Sequence, residues 1–123
     1  MISAVIFDMD GVLIDSEPLW IIMEEQFFRA HGWTVTPEYR KKIMGLLQPE
    51  VIELLRREYG LVGTTEEIMA ERMRSLLAIY ETRLELMVGA RSLLERLLAS
   101  HLRLGLATST ADPIVQFVLL VST

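Results

Sequence analysis

Two short apolar runs, ISAVIFD at residues 2–8 and LRLGLAT at residues 102–108, bracket a long stretch whose apolar residues recur at helical spacing. The first run is β-branched and lacks a helical period, which fits a strand buried on both faces of a parallel sheet. Parallel strands need a crossover of a dozen or more residues, usually one helix. The segment between these two runs is far longer than that, so the surplus reads as an inserted helical domain in an α/β protein.

Punctuation along the chain marks the helices. Glu17 to His31 is helical in pattern, with Pro18 acceptable in a first turn and Gly32 as a stop. Thr36-Pro37 opens a short helix toward Met44 that ends near Gly45, and a third helix runs from Pro49 to Tyr59 and stops at Gly60. Thr64-Thr65-Glu66-Glu67 has the spacing of a capping box, and Met69, Met73, Leu76, Leu77, Tyr80 and Leu84 share one face of the helix that follows. That stripe reads as packing. Val88-Gly89 interrupts it, and a helix from Ala90 to Ser100 presents Leu93, Leu94, Leu97 and Leu98 as its buried face. His31 and His101 both fall at helix C-termini, where the dipole favours them, and read that way rather than as metal ligands. Asp112-Pro113 starts a further helix after the second strand.

Composition narrows the possible partners. A chain of 123 residues suits one sizeable core. The net charge of −5, with arginines spread among acids along the helical segments, argues against a nucleic-acid surface, which needs clustered cations. The absence of cysteine rules out disulfides and thiolate metal sites. MISAVIFDMD carries no basic leader and no apolar run approaches a membrane span, so no membrane partner and a cytoplasmic location are the expectation.

The chemistry concentrates at the strand ends. The first run closes on Asp8, with Asp10 one residue further and Gly11 after it; the second closes on Thr108 and Ser109. Ligands of open α/β sheets gather at the carboxyl ends of strands, so these polar ends are expected to be neighbours. Hydroxyls and backbone N–H groups at a strand-to-helix turn make an anion cradle. Carboxylates beside it would repel a phosphate unless a hard divalent cation takes oxygens from both, and magnesium commonly does so. Asp8 then serves as a carboxylate nucleophile, and Asp10, re-aimed at Gly11, as general acid and then base. Both acids are candidate metal ligands, and Thr108 and Ser109 candidate phosphate ligands. Taken alone, an acid pair at a strand end reads equally as a turn former.

FDMDGVLIDSEPLW resembles the first motif of the haloacid dehalogenase-like (HAD) hydrolases, in the branch with a helical cap near β-phosphoglucomutases and sugar or polyol phosphatases. LRLGLATST resembles the second motif, and VGARSLLERLLA the helix that usually precedes it, with Val88 where a proline is common. The resemblance implies a parallel Rossmann-like core, of which the chain holds the first part at residues 1–15 and 87–123, and a helical cap at 16–86. It also implies Mg2+, with Asp8 as nucleophile and ligand, Asp10 as acid/base whose carbonyl also binds the metal, and Thr108 with Ser109 on the phosphoryl group. A second aspartate at position 10 favours phosphoryl transfer over dehalogenation.

Mutase relatives carry a histidine, a lysine and an arginine where this chain has Trp20, Met44 and Gln48. Neutral residues there grip a second phosphate poorly, so the resemblance favours a phosphatase for a small phosphorylated metabolite, with Trp20 and Gln48 as candidate substrate contacts in the cap. Trp20 reads equally as packing. Family members also use a lysine and distal acids on later strands. Here the lysines are Lys41 and Lys42, inside the cap segment, and the ionisable side chain after Ser109 is Asp112, so the chain reads as the N-terminal half of a family member. The alternatives are a catalytically silent fragment acting as a binding or assembly module, and a sugar-phosphate mutase.

Overall fold

The structure is a computed structural model that describes residues 1–108. Strand β1 (Ala4–Asp8) pairs in parallel with β2 (Arg103–Ala107), and between them run α1 (Glu17–Ala30), α2 (Pro37–Ile43), α3 (Gln48–Tyr59), α4 (Thr65–Arg83) and α5 (Ala90–Leu98). The Asp112-Pro113 helix start and Ser109 lie outside the described residues.

Local signals account for the helix boundaries. Thr36 Oγ1 accepts the Tyr39 N–H at 3.1 Å, and Thr64 and Glu67 form the reciprocal capping box, which satisfies N–H groups that the helix itself leaves unpaired. Gly60 ends α3 at φ 70, the left-handed geometry that costs glycine least. His31 follows the last residue of α1, and its Nδ1 lies 2.8 Å from the carbonyl oxygen of Phe27.

The helices α1 to α4 build two connected cores. One joins Phe27, Phe28, Tyr39, Val51, Ile52, Leu55 and Ile68 at the far end of the insertion. The other joins Leu19 and Met23 of α1 with Met73, Leu76, Ile79 and Tyr80 of α4, and it includes Met9 and Ile14 from the loop after β1. The sheet and the insertion therefore meet through that loop. The two connections run side by side there: Asp15 N–H donates to Glu85 O at 2.9 Å and Met87 N–H to Leu13 O at 2.8 Å.

Two burial expectations are corrected. Phe7 is buried, but Ile6, its neighbour on the opposite face of β1, is 72% exposed, so the strand is covered on one side only. On α5, Leu94 and Leu97 are half-buried and Ala90 buried, whereas Leu93 is exposed and Leu98 is 69% exposed. The helix packs on β2, and a sheet of two described strands is narrower than the apolar face it meets.

Among the described residues no helix is long and apolar enough to cross a membrane.

Candidate active site

The parallel register places Asp8 opposite Ala107, so Thr108 follows β2 at the same margin of the sheet. Neighbouring strands are about 4.8 Å apart, which brings the carboxylate and hydroxyl positions to one carboxyl edge, as expected from the sequence. Asp8 is exposed, and its Oδ1 accepts the Met9 N–H at 2.8 Å.

The loop after Asp8 is tightly wound. Met9 O accepts from Leu13 N–H at 3.0 Å and Ile14 N–H at 3.2 Å, while Gly11 N–H donates back to Ile14 O at 2.9 Å. Gly11 stands at φ 74, where a side chain is disfavoured. Met9 and Ile14 anchor the two ends of the turn in the core, so Asp10 projects from a loop held on both sides.

Ser16 is the residue here that sequence reasoning missed. It occupies the N-cap of α1, where a serine ordinarily accepts a backbone N–H, yet it makes no side-chain cap bond. Its hydroxyl instead donates to Asp10 Oδ1 at 2.7 Å, and the residue is 1% exposed. No local signal separates it from an ordinary residue before a helix; its backbone at φ −93 and ψ −23 is already helical, which keeps the hydroxyl off the first-turn N–H groups. Tyr80, expected on the packing face of α4, is buried there with a hydroxyl that meets no hydrogen-bond partner among the described residues. Burial first, and then the negative charge of Asp10, push its phenol up to about 12.

The remaining candidates sit inside the insertion. Trp20 is half-buried and packs against the core shared by α1 and α4. Gln48 Oε1 accepts from Arg72 Nε at 3.0 Å, and Arg72 in turn pairs with Glu24, whose Oε2 also accepts the Tyr39 hydroxyl at 2.8 Å. Gln48 thus engages a buried polar network that ties four helices together. Met44 is exposed at the end of α2.

Among the described residues no three carboxylates or imidazoles converge as a metal cluster. Asp8 and Asp10 offer two carboxylates at an exposed strand end. That donor set fits magnesium, which keeps several waters and takes one or two carboxylates beside a substrate phosphate.

An acid pair at the carboxyl edge of a parallel sheet, followed by a long helical insertion, defines a class of α/β hydrolase scaffold. Residues 5–120 match the haloacid dehalogenase-like hydrolase family, and the chain belongs to it. It is 31% identical over 108 residues to the phosphorylated carbohydrates phosphatase of Thermotoga maritima, covering 88% of this chain and 50% of that protein. It is 32% identical over 112 residues to hexitol phosphatase B of Escherichia coli K12, covering 89% and 50%. The crystal structure of CbbY from Rhodobacter sphaeroides in complex with phosphate superposes with a TM-score of 0.77 at 26% identity, covering 95% of this chain and 55% of that one. The chain spans about half the length of the curated relatives it matches.

Proposed function

We propose that this chain carries the nucleophilic part of a magnesium-dependent phosphatase for a small sugar or polyol phosphate, with residues 16–86 as a cap over the site. The observation that supports the reading is the register that pairs Asp8 with Ala107, the residue before Thr108, together with the Ser16 hydroxyl's bond to Asp10 in the loop that follows Asp8. Relatives named as phosphatases of phosphorylated carbohydrates and hexitols support the substrate class.

In this reading an Asp8 oxygen forms a bond to phosphorus as the ester P–O bond breaks, giving an aspartyl-phosphate. Asp10 donates its proton to the departing alkoxide. Asp10 then takes a proton from water, whose oxygen attacks phosphorus and releases Asp8 with inorganic phosphate. Thr108 and the Ser109 amide hold the phosphoryl oxygens through the sequence. Asp8 and Asp10 would hold magnesium, which would supply charge neutralisation between the acids and the phosphate. The neutral Trp20, Met44 and Gln48 favour a monophosphate over a bisphosphate.

Release of phosphate from a panel of sugar and polyol monophosphates, with and without Mg2+, tests the reading. Asp8→Asn is expected to abolish it. Turnover that survives Asp8→Asn removes the nucleophile assignment. A silent binding module is the second reading. It is favoured by the position of both lysines on α2, where Lys42 pairs with Glu58 away from the sheet margin. No turnover of any ester by the wild-type chain supports that alternative.

A further inference from the structure

The Ser16 hydroxyl donates to Asp10 Oδ1 at 2.7 Å, a length typical of an O–H donor on an ionised oxygen. Ser16 is 1% exposed, so solvent does not compete for the hydroxyl. Its place is set from both sides along the chain. Asp15 N–H, one residue earlier, is fixed on Glu85 O at 2.9 Å, and Ser16 O accepts the Leu19 and Trp20 N–H groups at 2.9 and 3.0 Å as α1 begins. Ile14 and Leu19, on either side of it, are buried in the core that α1 shares with α4.

Helix capping does not account for this hydroxyl. Ser16 has helical backbone angles, and its side chain accepts no first-turn N–H. A buried side chain on an anchored backbone, whose hydroxyl bonds an acid six residues earlier on a different turn, is placed for that acid. A hydroxyl also offers what a backbone N–H cannot. An N–H only donates and so favours the ionised carboxylate, whereas a hydroxyl carries one donor and two lone pairs and turns to suit. It donates to a carboxylate and accepts from a carboxylic acid. A group that gives a proton in one step and takes one in the next keeps a single orientation through both only beside a partner of this kind.

Resting on the phosphatase reading, we propose that Ser16 is a positioning residue for Asp10: its buried hydroxyl holds the side chain in one orientation whether Asp10 is ionised or protonated. Ser16→Ala removes the hydroxyl, and Ser16→Thr keeps it. In the 123-residue chain labelled with 13C-aspartate, at constant pH and Mg2+, the Asp10 side-chain carboxyl resonance is expected to move more than those of Asp8 and Asp15 in Ser16→Ala. It is expected to return toward its wild-type position in Ser16→Thr. An Asp10 resonance that stays put in Ser16→Ala, or that moves equally in both variants, overturns the proposal. On an ester that the wild-type chain hydrolyses, Ser16→Ala is expected to lower kcat about 10-fold with KM unchanged within about 2-fold, and Ser16→Thr to restore it. A KM that rises with kcat intact overturns the assignment, as does a kcat lost equally in both variants. A wild-type chain without turnover, whose Asp10 resonance moves in Ser16→Ala and returns in Ser16→Thr, counts against the phosphatase reading and supports the positioning.

Discussion

Replacing Glu24 by alanine tests the physical basis of the insertion. Arg72 is fully buried and Glu24 is 5% exposed, and the carboxylate accepts from both terminal nitrogens of the guanidinium as well as from the Tyr39 hydroxyl. The guanidinium also stands 4.8 Å from the centre of the Phe27 ring, so nothing aqueous replaces the lost acid. Breaking a buried pair from one side costs about 3–5 kcal/mol, and the orphaned tyrosine hydroxyl falls within the same loss, so about 4 kcal/mol is expected. For a domain of this size that is a fall of roughly 15 °C in the unfolding midpoint. Urea unfolding followed by circular dichroism reads the change directly. Glu25→Ala, which removes the partner of Arg40 in a pair exposed on both sides, is the control and should cost under about 1 kcal/mol. Converting both members together, Glu24→Leu with Arg72→Leu, should recover much of the loss, because no unpaired charge remains. If Glu24→Ala costs no more than Glu25→Ala, the pair is not desolvated and the reasoning fails.

Further outcomes follow from other elements. Thr64→Ala, which deletes the reciprocal cap of α4, should lower stability by about 1 kcal/mol in the same urea assay, with Thr64→Asn close to wild type. Burial, then the charge and hydrogen bond of Glu24, push the Tyr39 phenol well above its ordinary value of 10.0. A raised folded pKa means that the native state keeps a proton the unfolded chain loses. Stability is therefore full below pH 10 and declines above it, by about 1.4 kcal/mol per pH unit for this group. Alkaline denaturation should show that slope, and Tyr39→Phe should flatten it; a wild-type profile that is flat above pH 10 contradicts the assignment.

Much of the site's framework was legible because the signals are local. Asp8 closes a β-branched run, glycine and proline limit the helices, and Thr36 and Thr64 cap them through bonds to residues three positions on. Where a residue's contacts depend on a distant partner, no local signal points to them. Ser16 precedes a helix, yet its backbone is itself helical at φ −93 and ψ −23 rather than extended, so its hydroxyl caps no N–H and donates to Asp10. Nothing near Gln48 in sequence shows Arg72, its hydrogen-bond partner on α4.

The amino-acid sequence by itself determined the acid-bearing strand end, the order of elements and the family, since steric preference, capping and apolar period act between near neighbours. Tertiary structure decided which face of β1 meets solvent, that Arg72 is neutralised by a glutamate 48 residues earlier, and that the Ser16 hydroxyl donates to Asp10. Burial and charge pairing are properties of surfaces brought together by the fold, and a one-dimensional pattern does not specify which surfaces those are.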